Sequence, residues 1–239
     1  MREKSNGLLR TAFAGLLCVG LVGAKDTAAQ EAPKVKIPEP GVPQIMSMEG
    51  RYIRVAYNNE GYVILGYRVA NLSVGQPWML LELGFALRDG RPDYVMKRDA
   101  ISLETPDGKT IPMPTVTEYR QAHVAPLQAR ANAQRDKINY FPPNARNACR
   151  IGFFSDLDSA GKAWDQVEFT DQQGCLGQIY FPVPGGITYG QHWLNVKFAN
   201  SLVRVPFRIL TKEEYKLLDK HYKAIEKQID EAFRQPKKN

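Results

Sequence analysis

Hydrophobic and polar positions alternate most regularly near the end of the chain. In His192–Phe198 and Leu202–Leu210, apolar side chains recur at every second position, as in strands with one buried face and one wetter face. Ala199–Ser201 joins the two runs, and we predict that they form a pair of strands. Because Pro206 has no backbone N–H to donate, we expect its strand to lie at the edge of a sheet.

Other short apolar runs, bounded by turn residues, predict further strands. Tyr52–Tyr57 and Tyr62–Tyr67 flank Asn58–Gly61, and the Asn and Gly residues of that segment tolerate the positive φ of tight turns, so these runs predict a hairpin. The remaining predicted strands are Trp78–Leu87, Ala100–Leu103, Thr110–Met113, Ile151–Phe154, Gln166–Thr170 and Gln178–Val183.

The middle of the chain has a helical composition. Thr115–Lys137 is rich in Ala, Gln and Arg, which favours helix, and we expect Thr117 to cap its start. Pro126 lacks a backbone N–H and clashes with the preceding turn, so it is expected to kink or divide the helix. Pro142 and Pro143 end this region.

A longer helix is predicted from Thr211 onward. Thr211 and Glu214 have the spacing of a capping box, in which two backbone amides are satisfied reciprocally. An apolar stripe follows at spacings of three and four, and three interpretations remain open: it docks onto the same protein, binds a partner, or lies on a membrane surface. The stripe comprises Tyr215, Leu218, Tyr222, Ile225 and Ile229.

Many short strands with helices only in the middle and at the end predict a mainly β fold. We expect an antiparallel, Ig-like β-sandwich over residues 48–210, with a helical insertion near 115–137 and a C-terminal amphipathic α-helix over 211–234. The alternative is two small β domains split near residue 140.

The first 29 residues are typical of a signal peptide. A basic start precedes the apolar run Thr11–Ala24, which is too short for a membrane span of about 20 residues. Small residues favour cleavage before Gln30, with a second candidate before Lys25. We therefore expect a periplasmic or secreted protein with no transmembrane segment in the mature chain.

Residues 30–47 contain four prolines in a polar setting, namely Pro33, Pro38, Pro40 and Pro43. A stretch of this composition is stiff and extended and has little to bury, which predicts an exposed leader. Its alternative role is to recognise a partner.

The cysteines agree with export. Cys18 lies in the predicted signal peptide, which leaves Cys149 and Cys175 as a pair in a chain sent to an oxidising compartment. We predict a disulfide between them. Two metal-bound thiolates are the alternative, but there is no CxxC motif or neighbouring His to support them.

Charge and motifs exclude several classes of function. The chain of 239 residues carries a net charge of +7, but its basic residues are scattered among acidic ones, so no nucleic-acid partner is expected. The three histidines lack metal-binding spacing, and His192 is expected to be structural or at the surface. Without a nucleotide-binding loop or nucleophile elbow, we predict no catalytic residues and no cofactor.

Asp156 and Asp158 begin a segment that resembles a calcium loop. Ala160 and Val167 stand where an EF-hand needs oxygen ligands, so the EF-hand is rejected. Asp156 and Asp158 remain candidates for another kind of metal site, and the alternative is an ordinary polar turn.

Tyrosines and one tryptophan are concentrated in the first half of the chain, at Tyr52, Tyr57, Tyr62, Tyr67 and Trp78. Such side chains pack in cores or form surfaces that contact carbohydrate or protein.

Together these patterns predict an exported, non-catalytic binding module of an envelope or extracellular assembly, with a protein partner. The alternatives are a secreted hydrolase with carboxylates on sandwich loops and a structural subunit that docks through its C-terminal helix.

Overall fold

The structure is a computed structural model that describes residues 32–154 and 162–234. It is mainly β, with 37% strand and 23% helix. The described strands are β1 (Ile45–Gly50), β2 (Ile53–Tyr57), β3 (Gly61–Gly66), β4 (Trp78–Leu87), β5 (Tyr94–Lys97), β6 (Ile101–Glu104), β7 (Thr110–Pro112), β8 (Asn147–Arg150), β9 (Gln166–Phe169), β10 (Gln173–Pro182), β11 (Gly190–Lys197) and β12 (Leu202–Ile209). The helices are α1 (Arg68–Asn71), α2 (Val116–Gln121), α3 (Ala125–Gln134) and α4 (Lys212–Arg234).

Within the described residues the strands lie in three sheets. A six-stranded sheet has the order β1-β2-β3-β4-β10-β8, a four-stranded sheet has the order β12-β11-β6-β7, and β5 pairs with β9. The four-stranded sheet contacts the larger one where β12 lies against β2 and β3. The prediction of antiparallel sheets is correct except at β8, which is parallel to β10 and makes that sheet mixed.

Paired strands cross the position at which a two-domain arrangement would divide. β4 pairs with β10, β6 with β11, and β5 with β9, so each pairing joins a strand before residue 140 to one after it. Residues from Ala32 onward accordingly form one compact unit.

The strands largely follow the hydrophobic pattern. β2 and β3 form the predicted hairpin, with Tyr57 opposite Tyr62. Pro206 lies in β12, at the edge of its sheet as predicted. The prediction of a strand at Ile151–Phe154 is wrong, because the strand ends at Arg150. The apolar side chains of Ile151, Phe153 and Phe154 are nonetheless buried in the core, which explains the apolar run.

Pro126 divides the predicted helical insertion into α2 and α3, and it lies in the first turn of α3, where its missing N–H costs no hydrogen bond. Thr115 rather than Thr117 caps α2. Its hydroxyl accepts the backbone N–H of Glu118, whose carboxylate accepts the N–H of Thr115. The prediction of Thr117 as the cap is therefore wrong by two residues, because the helix begins directly after Thr115.

The capping box at Thr211 and Glu214 forms as predicted, and α4 packs on β1. Leu218, Ile225 and Ile229 are buried in the main core, and Tyr222 packs partly against it. The Tyr215 ring stacks parallel to the Tyr52 ring, with the centroids 6.2 Å apart. The predicted stripe therefore contacts the body of the same chain.

The Pro-rich segment also contacts the body. β1 begins at Ile45, inside the predicted leader, and Met46 is buried there. Further upstream, the backbone N–H of Val35 donates to Oε1 of Gln228 on α4, at 3.1 Å. Arg204 on β12 donates from Nη1 to the carbonyl oxygen of Pro40, at 2.8 Å. Nine of the sixteen described residues of the segment are therefore half-buried or buried, because its backbone is bound by polar side chains of the body.

Cys149 and Cys175 are register partners on β8 and β10, and a disulfide joins them as predicted. In the described part of the chain, no helix combines the length and hydropathy needed to cross a membrane.

Candidate functional site

The six-stranded sheet has two faces of different composition. Directly opposed residues of neighbouring antiparallel strands share a face, so the registers assign each side chain to one of the two. The inner face, towards the four-stranded sheet, carries side chains such as Val63, Leu83 and Phe85. The outer face carries Tyr57, Tyr62, Ile64, Gly66, Glu82, Gly84 and Gly174.

Residues 136–143, which we call the strap, cross this outer face. A Cβ atom at Gly84 would lie 3.1 Å from Cζ of Phe141, and one at Gly174 would lie 2.9 Å from Cδ1 of the same ring. A Cβ at Gly66 would lie 3.1 Å from Cβ of Asp136. The three glycines therefore provide the space in which the strap lies close to the sheet.

A groove of ≈ 600 Å³ opens where the strap leaves the sheet. Its residues come from β1, from the hairpin of β2 and β3, and from the end of the strap. They are Ile45, Ser47, Glu49, Val55, Tyr57, Tyr62, Tyr140, Phe141, Pro142 and Pro143. We call this the aromatic groove. A second, larger cavity shares Ile45 and Tyr57 with it and continues along residues 37–44.

An arginine holds the two tyrosines of the hairpin in place. The rings of Tyr57 and Tyr62 stack with their centroids 4.6 Å apart. The guanidinium of Arg88 lies 5.8 Å from the Tyr57 centroid and 5.4 Å from the Tyr62 centroid, and it donates to the Tyr62 hydroxyl. Cation–π attraction and this hydrogen bond fix the rings before any ligand arrives.

Glu60 anchors the turn of the same hairpin to the other sheet. Its buried carboxylate accepts the backbone N–H and side-chain amide of Asn200 and the hydroxyl of Ser201, between β11 and β12. Burial opposes ionisation, but the hydrogen bonds from Ser201 and Asn200 outweigh it and lower the pKa of Glu60. Asn58 supports the turn by accepting the N–H of Glu60 and of Gly61.

Hydrogen bonds also hold the wall of the groove that is formed by the strap and β1. The Tyr140 hydroxyl donates to the carbonyl oxygen of Glu49, at 3.1 Å, and the Ser47 hydroxyl donates to the Glu49 carboxylate, at 2.6 Å. The first bond ties the strap to β1, and the second lies within β1 and orients Glu49. The groove therefore presents half-buried aromatic side chains, several of them held by hydrogen bonds, beside the buried Pro142 and the exposed Pro143.

The aromatic residues singled out in the sequence have separate roles. Tyr67 is fully buried in the core, and Tyr52 packs edge-on against it. Burial, together with Tyr215 and Tyr67, raises the pKa of Tyr52 to about 12. Tyr57 and Tyr62 line the groove. Sequence reasoning missed Arg88 and the strap residues, although Gly84 and Gly174 within strands could have signalled a close approach of backbone or side chains.

Asp136 on the strap is the carboxyl group with the largest upward shift in pKa among the described residues. Burial raises its pKa to about 6, although the backbone N–H of Arg68 donates to its Oδ2 at 3.0 Å. A carboxyl group with such a pKa can exchange protons near neutral pH. Glu82 lies across Gly66 from it and accepts the side-chain amide of Gln178.

His192 lies in the core and stacks on Phe207, with the centroids 5.3 Å apart. Its Nδ1 is 3.1 Å from the carbonyl oxygen of Gly190, while its buried Nε2 has no hydrogen-bond partner in the described residues. Burial lowers the pKa of His192, so the ring is neutral near pH 7. The structural role expected for this residue agrees with its position.

No cluster of three or more potential metal ligands occurs in residues 32–154 and 162–234. Asp156 and Asp158 lie outside the described residues. Comparisons with models of protein families, with curated proteins and with solved structures found no match.

Proposed function

We propose that this protein is an exported, non-catalytic binding module of an envelope or extracellular assembly, and that the aromatic groove contacts an extended segment of a protein partner. The observation that carries the proposal is the fixed arrangement of Tyr57, Tyr62 and Arg88 beside the strap. A site whose side chains are already ordered loses little conformational entropy on binding, which favours affinity.

The chemistry of the groove suits a polypeptide. Aromatic and arginine side chains are enriched where protein partners bind, and grooves lined by aromatic rings accept extended, proline-containing segments. Glu49 and Arg88 add one negative and one positive group near the aromatic rings. An extended segment with apolar side chains and a few polar groups therefore complements this surface.

Export rests on two features. Residues 1–29 have the pattern of a signal peptide, and the disulfide between Cys149 and Cys175 is compatible with an oxidising compartment. We also propose that the two larger sheets form an Ig-like sandwich, since they contact each other through β12, β2 and β3.

The proposal is tested by capturing partners from the native envelope fraction and from spent medium with three baits. These are the wild-type protein, the double variant Tyr57→Ala/Tyr62→Ala, and the control Tyr189→Ala, whose side chain is 51% exposed outside the groove. Bound proteins are identified and quantified by mass spectrometry, and circular dichroism checks that each bait is folded.

We expect a stoichiometric partner on the wild type and on Tyr189→Ala that is lost from the double variant. Equal capture by all three folded baits would show that the groove is not the binding surface. A broad hydrolase screen of the wild type addresses the alternative class, and turnover that disappears in Asp136→Asn would contradict a non-catalytic function.

A further inference from the structure

Another cavity, distinct from the one along residues 37–44, lies on the opposite side of β1 from the aromatic groove. It has a volume of ≈ 240 Å³, is open to solvent on one side and is bordered by residues 33–38, α4, β1 and β12. We call it the apolar cleft. Apolar side chains form most of its wall, among them Met46, Met48, Phe207, Leu218, Ile225 and Ile229.

The volume of the apolar cleft points to a small apolar group. An apolar cavity of about 150 Å³ binds benzene, whereas sites for drug-sized ligands start at about 300 Å³. The apolar cleft lies between these values. It can therefore take one alkyl chain of medium length, and its walls offer few polar partners for ordered water.

A buried arginine places a positive charge in the wall of the apolar cleft. Arg54 lines it and is 8% exposed. Its guanidinium donates from Nη1 to the carbonyl oxygens of Gly50, at 3.0 Å, and Ile53, at 2.9 Å, and from Nη2 to the hydroxyl of Tyr67, at 2.8 Å. All of these acceptors are neutral. In the part of the chain that the structure describes, no carboxylate pairs with Arg54.

A buried charge that contacts no carboxylate is unfavourable, and Asp136 acts on Arg54 only through space. The hydrogen bonds to neutral acceptors occupy Nη1 but leave Nε–H and the second hydrogen of Nη2 without a partner in the described residues, and this pair of donors suits a carboxylate or a phosphate. Lys34 and Lys36 also border the apolar cleft, so they add positive charge there, whereas Arg208 is already paired with Glu214. The lining thus combines apolar walls with an excess of positive charge, which complements a molecule that is apolar along its length and anionic at one end.

We propose that the apolar cleft binds an amphiphile with one alkyl chain and one anionic head group, with Arg54 pairing the carboxylate or phosphate of the head. The chain of this ligand lies among the apolar residues of β1, β12 and α4. This site is separate from the aromatic groove, and its occupancy does not depend on the proposed partner.

The test measures binding to the purified protein by isothermal titration calorimetry, below the concentrations at which the probes form micelles. Decanoate and decyl phosphate carry chain and charge, decanol carries the chain alone, and butyrate carries the charge with little chain. Methyl NMR signals of Met46, Ile225 and Ile229 locate the site. We expect saturable binding of one decanoate or decyl phosphate with shifts in these signals, binding of decanol weaker by about tenfold or more, and no binding of butyrate.

Four variants separate the effects of charge and of space in the apolar cleft from a general loss of folding. Arg54→Gln should reduce the affinity for decanoate to that for decanol, and Arg54→Lys should retain part of the difference. Because Arg54 also binds backbone carbonyls, Leu217→Trp tests the site without touching the charge: Leu217 lines the apolar cleft and is 49% exposed, so the larger ring should block the chain. Leu176→Trp, at a residue 37% exposed on β10, is the matched control and should bind normally.

The relative affinities for the two charged probes indicate whether a carboxylate or a phosphate is preferred, and flotation with phosphatidylglycerol vesicles tells a membrane lipid from a free amphiphile. Absence of saturable binding would overturn the proposal. The proposal would also be contradicted if decanol bound as tightly as decanoate, or if Leu217→Trp did not weaken the binding of decanoate. NMR shifts that mapped to the aromatic groove would contradict it as well.

Discussion

The two faces of the six-stranded sheet are covered in different ways. The inner face presents large apolar side chains, such as Leu83 and Phe85, in the core shared with the four-stranded sheet and, at β1, with α4. The outer face carries glycines beneath the strap and tyrosines beyond it. The inner face is filled by its own side chains. The outer face is also filled at Leu80 and Tyr180, where Tyr180 packs against Tyr119 and Phe154, but beside the strap it leaves space that the loop fills only in part. The aromatic groove lies where that second covering stops.

Of the changes that test this comparison, truncation of the chain after Leu210 is expected to have the largest effect on stability. This change removes α4 and uncovers Met46 and Met48 on the inner side of β1. Burial of each Leu or Ile side chain contributes about 1.5–3 kcal/mol, so the loss of the stripe approaches a typical total stability of about 5–15 kcal/mol. We expect the truncated chain to lose cooperative unfolding in urea, followed by circular dichroism.

Lys223→Ala, on the exposed side of α4, is the control for the truncation and should keep the wild-type midpoint. A truncated chain that unfolds at the wild-type midpoint would show that α4 is dispensable for the fold. That outcome would favour the alternative in which the helix serves a partner.

A single substitution on the inner face should have the next largest effect. Phe85 is fully buried against Phe169, with the ring centroids 4.7 Å apart. Phe85→Ala leaves a cavity and should lower the free energy of unfolding by about 3–5 kcal/mol, measured by urea denaturation. Phe141→Ala, in the half-buried strap, should cost less. If the two losses were equal, the two faces would be packed equally well.

On the outer face, enlarging a glycine should be harmful because of the strap. Gly174→Ala places a methyl group 2.9 Å from the Phe141 ring, and such overpacking costs about 1–3 kcal/mol. In a Phe141→Leu background the same substitution should cost less, which a double-mutant cycle measures. Gly50→Ala, where the new Cβ would meet only ordinary contacts from 3.5 Å outward, serves as the control. Equal costs in both backgrounds would remove the strap as the cause.

The smallest expected effects are changes in stability with pH, and they have opposite signs for His192 in the core and Asp136 on the strap. Burial lowers the pKa of His192, so the unfolded chain binds more protons below about pH 6.5 and this group's contribution to stability falls as pH falls. The pKa of Asp136 is raised from 3.8 to about 6, so the folded chain binds more protons between these values. The contribution of Asp136 therefore rises as pH falls through that range.

Urea unfolding between about pH 7 and about pH 4 measures both contributions. Relative to the wild type, His192→Phe should lose less stability on acidification, and Asp136→Asn should lose more. Parallel pH profiles for all three proteins would show that neither group changes its protonation on folding.

The hydrophobic pattern predicted the hairpin of β2 and β3, the full extent of β4 and the cap of α4, because each depends on neighbours in sequence. It misplaced the strand at Ile151–Phe154, since buried loops and strands have the same apolar composition. It also gave no indication of the parallel β8, which depends on the path of the chain after the strap. For the site, the sequence suggested Tyr57 and Tyr62 among five aromatic residues but could not separate them from Tyr67.

By itself, the sequence determined most of the strands and helices, the pairing of the last two cysteines and the apolar stripe of α4, but not β1, β5 or β8. Alternation, turn residues and caps act over a few positions, and local physics is enough to specify them. Only the tertiary structure decided which face each tyrosine occupies, that the stripe packs on β1, and that Arg54 lies buried without a contacting carboxylate among the described residues. These features arise from contacts between segments far apart in the chain, and a one-residue change of register would reverse every side chain on a strand.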